Sequence, residues 1–260
     1  MSMITNKFDF TKVKLGKGPA KKDTRTLMFA DYLKPKAELP TAPQTYNWEG
    51  NITNFGMMAN DTLGDCTIAA MAHLVMAFTD ANNHLITPGV SEVIKVYSAI
   101  TGYNPVTGSG DNGAVEIDVL NYWRKNSISG QRIEGYAAIN VAEPSEIQLA
   151  TYLFGGIYIG IALPITAQTQ EIWDVVGDGQ SGDSAPGSWG GHAVCVLEYD
   201  STYLTVITWG APLKMTWAFW NAYVDEAYGI ISWDFFNKNT DISPLGFSLK
   251  SLEADLKAIG

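Results

Sequence analysis

The apolar spacing of this chain changes period near residue 155, and that switch constrains the fold more than any other feature. Upstream, residues 66–78 are apolar on nearly every side (Ile68, Ala69, Met71, Ala72, Val75, Met76), which predicts a helix through a core. Thr87-Pro88 supplies an N-cap and first-turn proline for a helix carrying Val90, Val93, Ile94, Tyr97 and Ile100. Val115, Ile117, Leu120 and Trp123 mark another helix, and Pro144 opens a third through Ile147 to Leu153. Downstream, residues 157–163, 192–199, 203–209, 213–223 and 227–235 are β-branched and aromatic runs separated by Gly, Asp, Ser and Pro, which predicts strands. Helices followed by strands imply an α+β protein of two packed lobes, a helical lobe over about residues 60–150 and a β lobe over about 155–240. Residues 1–38 read as an extension ahead of one domain, 39–260. A last amphipathic helix is expected around Leu249, Leu252 and Leu256.

Only two cysteines, Cys66 and Cys195, occur in 260 residues, so no disulfide framework supports the fold and its core must do so. A single Cys66–Cys195 bridge stays open on sequence grounds. No apolar leader follows Met1, and the longest apolar run, 153–165, is broken by Gly155, Gly156, Gly160 and Pro164. It is too short to span a bilayer. A soluble chain, cytoplasmic by default, is therefore the expectation.

The net charge of −10 is unevenly spread. Residues 1–36 hold nine of the 17 basic residues and three of the 27 acidic ones, so a head near +6 precedes a body near −16. The acidic body argues against nucleic acid as a partner. The basic head reads as a solvated arm, or as one that docks on its own acidic body or on an anionic partner. A short pro-segment is a further reading of residues 1–38.

Cys66 starts the buried helix, where unpaired N–H groups can stabilise a thiolate; it is equally compatible with a small core residue. Three histidines are available to pair with it. His73 lies two turns along the same helix and His84 in the polar turn Asn82-Asn83-His84. His192 opens a strand after Gly190 and Gly191, which leave its ring room, and it alone approaches from the second lobe as a base should. Cys195 falls three residues after His192, on the opposite strand face, and reads as core. No metal-ligand spacing and no phosphate-binding glycine loop is present, so no cofactor is expected.

The order of landmarks, Leu39-Pro40, Tyr46-Asn47-Trp48, Ile52-Thr53, Asn60 and Gly64-Asp65-Cys66, resembles the start of a mature papain-like cysteine peptidase. Residues 153–161, the run His192-Ala193-Val194 and the end Thr208-Trp209-Gly210 resemble its later strands, so the likeness covers roughly residues 39–235. It implies a papain-like two-lobe fold, with a long central helix starting at Cys66 packed on an antiparallel β-sheet or barrel lobe. It also implies a thiol hydrolase acting on a peptide or protein substrate through an acyl-enzyme. Cys66 would be the nucleophile, His192 the general base and later acid, and Asn60 an oxyanion donor in place of the family's Gln. The family's histidine-orienting Asn aligns with Ile207, which accepts no hydrogen bond; Thr208 takes the role if the strand is shifted by one residue. Trp209 matches the family's shielding tryptophan. Asp65 is expected to cap the helix. The departures at 60 and 207 fit a second reading, a weak or inactive relative acting as a binding module. A third is a cell-wall peptide hydrolase, suggested by Trp189, Trp209, Trp217, Trp220 and Trp233, which are also compatible with plain core.

Overall fold

The computed structural model describes residues 9–24, 26–32, 41–236 and 242–245, so the helix expected near Leu249 lies outside the described residues. Nine strands are joined in one sheet: β1 (Leu27–Met28), β2 (Tyr46–Asn47), β3 (Ile133–Ala138), β4 (Ile157–Leu163), β5 (Ile172–Trp173), β6 (Gly190–Tyr199), β7 (Tyr203–Thr208), β8 (Ala211–Thr216) and β9 (Val224–Ser232). Their spatial order is β1-β3-β9-β4-β6-β7-β8-β5, with β2 pairing the end of β6. The sheet is antiparallel except where β1 joins β3 and β5 joins β8. The helices are α1 (Phe29–Tyr32), α2 (Cys66–Ala81), α3 (Val90–Thr101), α4 (Glu116–Lys125), α5 (Pro144–Phe154) and α6 (Trp217–Tyr223).

Helix α2 organises the molecule because it is apolar all round. Every residue from Cys66 to Thr79 is buried, and the helix packs against β4, β6 and β7 as well as α3 and α4. Ile68, Met71, Leu74, Val75 and Phe78 are fully excluded from water, each worth about 1.5–3 kcal/mol of transfer free energy. The Tyr158 hydroxyl of β4 donates to the Thr67 carbonyl at 2.9 Å, which fixes the first turn of α2 against the sheet. Gly155 ends α5 in the left-handed conformation (φ 77°) and turns the chain into β4.

Three expectations are corrected. The run 213–223 is not one strand: β8 stops at Thr216, whose hydroxyl accepts the Phe219 N–H at 3.0 Å and caps α6. The aromatic composition suited either element, but Phe219, Trp220 and Tyr223 bury one helical face. Helix α3 begins at Val90, with extended Gly89 rather than Thr87 at its N-cap position. Strand β3 lies inside the helical half, where it pairs with β9 from the far end of the chain.

Candidate active site

Cys66 sits where the tip of α2 meets the start of β6. The Ala193 N–H donates to its Sγ at 3.4 Å, so the thiol lies one residue from His192 across the lobes. In β6, His192 is paired with Ile161 of β4. Its Nε2 is 2.8 Å from Thr208 Oγ1 at the end of β7. Ile207 pairs with Cys195 in the ladder and stays in the core. The register of β6 and β7 shifts between Val196 and Glu198, and Trp209 then takes a left-handed φ of 44°. That turn lays the indole over the imidazole, centroids 4.6 Å apart and 20° from parallel. The His192 Nδ1 is buried with no hydrogen bond. Cys66, His192, Thr208 and Asn60 are each about 1% exposed. Both cysteines are free thiols, so the bridge left open by the sequence is absent.

Asn60 reaches the site through a tight loop in which Met58 and Ala59 both have positive φ, at 55° and 74°. Such backbone costs about 1–3 kcal/mol per residue and persists only when its surroundings fix it. The Asn60 Nδ2 donates to the Leu63 carbonyl at 3.0 Å, and the same amide acts on the Asp65 carboxylate. Asp65 occupies the N-cap position of α2 without a side-chain capping bond, contrary to expectation. Neither of its carboxylate oxygens has a well-aligned hydrogen bond. Burial pushes its pKa up to about 8, against the opposing pull of its own backbone N–H and the Asn60 amide. His73 is a structural residue: its Nε2 bonds the Gly56 carbonyl at 2.9 Å, and burial lowers its pKa to about 4. His84 is exposed in its turn.

Burial also sets the state of the pair. Desolvation pushes the Cys66 thiol up to about 12, opposed by the N–H groups of Ala193 and Gly16. Desolvation, then repulsion from His73, lowers His192 to about 3. In this conformation thiol and imidazole are both neutral.

The chain's own N-terminal segment crosses the site and forms part of its cover. Phe10 sets its ring edge-on against Trp189 and Trp209, at 5.6 Å from each. The Lys14 carbonyl accepts from Trp209 Nε1 at 3.2 Å, and the Lys14 N–H donates to Asn60 O at 2.9 Å. Gly16 and Lys17 both donate to Gly191 O, at 3.2 and 3.0 Å. Gly18 N–H donates to Ala114 O and Ala114 N–H to Gly16 O, each at 2.8 Å. Gly16 passes so close to Gly64 that a Cβ there would overlap the Gly64 carbonyl. Gly191, expected to give the imidazole room, instead makes room for the Lys17 backbone. No sequence motif marks the contacts of this crossing, nor Glu116, Asp225 and Glu226 beyond it. Their trace in the sequence is the contrast between basic head and acidic body.

No family model and no curated protein matches the sequence. Solved structures do. Xylellain, a cysteine protease from Xylella fastidiosa, superposes with a TM-score of 0.63 at 12% identity, over 85% of this chain and 96% of that one. Digestive procathepsin L 3 of Tenebrio molitor larval midgut gives 0.58 at 12% identity, over 82% and 75%. The ragweed pollen allergen Amb a 11 cysteine protease, in its proform, gives 0.56 at 12%, over 88% and 78%. The chain has the papain-like two-lobe fold. Within that papain-like frame, α2 carries Cys66 from the helical side and β6 brings His192 from the sheet side. Among the described residues no helix is long and apolar enough to cross a membrane.

Proposed function

We propose that this chain is a thiol hydrolase of peptide bonds, held latent by residues 9–18 of its own N-terminal segment. The observation that carries the reading is a helix-start thiol seated on the backbone N–H of Ala193, next in sequence to a strand-start histidine whose Nε2 is occupied by Thr208. With Nε2–H donated to Thr208, Nδ1 is left to accept the thiol proton. A threonine hydroxyl both donates and accepts, so it holds the ring less strictly in one tautomer than an amide oxygen would.

When the segment withdraws, water reaches the pair, and the desolvation that keeps both groups neutral is relieved. The Cys66 proton passes to His192, and the thiolate attacks the peptide carbonyl to form the C–S bond. The Cys66 backbone N–H donates to the oxyanion, joined by the Asn60 amide once it turns away from Asp65. His192 returns its proton to the leaving amine as the C–N bond breaks. It then takes a proton from water, whose oxygen displaces Sγ and releases the acid. Two of the similar structures, the beetle procathepsin and the ragweed proform, are pro-enzymes by name, which suits a latent reading.

The test is hydrolysis of a mixed peptide pool by the full chain, before and after limited proteolysis within residues 1–24, with E-64 as thiol-directed inhibitor. E-64-sensitive cleavage, lost in Cys66→Ala, is expected. A second reading, an inactive binding module, draws on the neutral pair and the buried Asp65 beside the thiol. Absence of cleavage together with absence of E-64 adduct on Cys66 decides for it.

A further inference from the structure

Where the N-terminal segment leaves Cys66, it inserts one side chain into the body. The Lys17 side chain is 2% exposed, with Nζ 3.0 Å from Asp225 Oδ2 and 3.0 Å from Glu226 Oε1. It also donates to Gly18 O at 3.3 Å. The Glu226 contact is an ion pair without the alignment of a hydrogen bond. Glu226 is anchored from behind by the Tyr228 hydroxyl, which donates to its Oε2 at 2.8 Å. The third acid is Glu116, the first residue of α4, fully buried with neither carboxylate oxygen hydrogen-bonded. Burial pulls the Lys17 pKa down, yet attraction from Glu116, Glu226 and Asp225 outweighs it and leaves it raised. Three carboxylates gathered at one spot repel each other, and the two buried ones, Glu116 and Glu226, are costly to bury unless a cation sits among them. Residues of α4 and β9 build the site, and a side chain from the N-terminal segment fills it.

The flanking backbone shows how a peptide lies there. Gly16 and Gly18 pair with Ala114, and Gly16 and Lys17 with Gly191, in the manner of a short added strand. These are main-chain contacts that an extended peptide with glycine at the place of Gly16 can make. The side chain that such a strand turns inward at this point meets Asp225 and Glu226, within the electrostatic reach of Glu116.

We infer that the pocket formed by Glu116, Asp225 and Glu226 is the side-chain recognition site of the cleft, and that it selects substrate peptides carrying lysine or arginine there. Lys17 occupies it as a stand-in for that substrate side chain. The inference rests on the hydrolase reading for the word substrate, while recognition itself is measurable without chemistry.

The experiment uses the full chain carrying Gly16→Val and Lys17→Ala, which frees cleft and pocket together; release is read as faster iodoacetamide alkylation of Cys66. With Cys66→Ser added, fluorescein-labelled Ala/Gly hexapeptides bearing one lysine, arginine, norleucine or glutamate at each position in turn are titrated by polarisation. At one position lysine and arginine are expected to bind at least tenfold tighter than norleucine, and glutamate weaker than either. Glu226→Gln should bring the lysine-to-norleucine ratio close to one without weakening norleucine binding. Should that variant not fold, the half-exposed Asp225→Asn reports the same ratio with a smaller drop. Equal binding of lysine and norleucine, no binding by any peptide, or a lysine preference that survives these changes overturns the proposal. Cleavage of the best peptide by the matching Cys66 chain is scored separately: binding without cleavage sinks the hydrolase reading and leaves the pocket standing.

Discussion

The molecule contains two buried thiols, and they are buried by different things. Cys195 lies inside the sheet, flanked by Tyr158 on β4 and Ile207 on β7, and its pKa is pushed far up by desolvation. Water reaches it only if strands separate. Cys66 is equally inaccessible and its thiol is also raised, to about 12. Its cover, however, includes a segment held by a handful of main-chain hydrogen bonds, one aromatic contact set and one lysine. Two thiols with similar static burial thus differ in the free energy needed to expose them, which is the quantity that governs reactivity.

The largest expected effect separates the two thiols directly. Gly16→Val forces a side chain against the Gly64 backbone. Overpacking of this kind costs about 1–3 kcal/mol, so alkylation of Cys66 should rise about ten- to a hundredfold while Cys195 stays protected. Peptide mapping by mass spectrometry after brief iodoacetamide exposure reads both sites at once. Equal acceleration at Cys195 would mean that the whole fold has loosened, and the distinction would collapse. A smaller effect sharpens what is special about the Cys66 side. Thr208→Val keeps the volume but removes the 2.8 Å partner of His192. Losing a hydrogen bond worth about 0.5–1.5 kcal/mol should lower kcat by about two- to tenfold with little change in KM, read by steady-state hydrolysis after release of the segment.

The smallest effect concerns Asp65, beside Cys66 and without a counterpart near Cys195. Its folded-state pKa of about 8 lies above the ordinary aspartate value. Between about pH 4 and 8 the native state therefore holds a proton that the unfolded chain has lost, so stability falls as pH rises through that window. Asp65→Asn should flatten the fall and raise the melting temperature at pH 7 by about 2–4 °C. The buried histidines act in the other direction: His73 at about 4 and His192 at about 3 lose stability as pH falls below about 6.5. A melting series from pH 4 to 8, with and without Asp65→Asn, checks both signs.

What the sequence displays well is what local pattern controls. The all-round apolar run after Cys66 is α2, and the β-branched run of residues 157–163 is β4, because periodicity and burial coincide there. The papain-like fold was legible from the order of short motifs. Long-range register was not. Thr208 meets His192 because the β6–β7 ladder shifts and Trp209 turns left-handed, neither of which a single strand pattern records. The helix after Thr216 was hidden because Trp217, Phe219 and Trp220 suit a strand as well as a helix, and one hydroxyl cap decides between them. Asp65 has the residue type of a cap, but its carboxylate makes no aligned hydrogen bond to the first-turn N–H groups of α2. The pocket around Lys17 draws on residues 17, 116, 225 and 226, whose only shared mark in the sequence is opposite charge.

On the proposed reading Cys66 is a nucleophile paired with His192 and masked by the N-terminal segment. The most direct test is the pH dependence of Cys66 alkylation in full-length Gly16→Val, with and without His192→Ala. A reactive thiolate already present near pH 6, well below the ordinary thiol value of about 8.5, and lost in His192→Ala, is the predicted result. A rate that follows an ordinary thiol titration and ignores His192→Ala would contradict it.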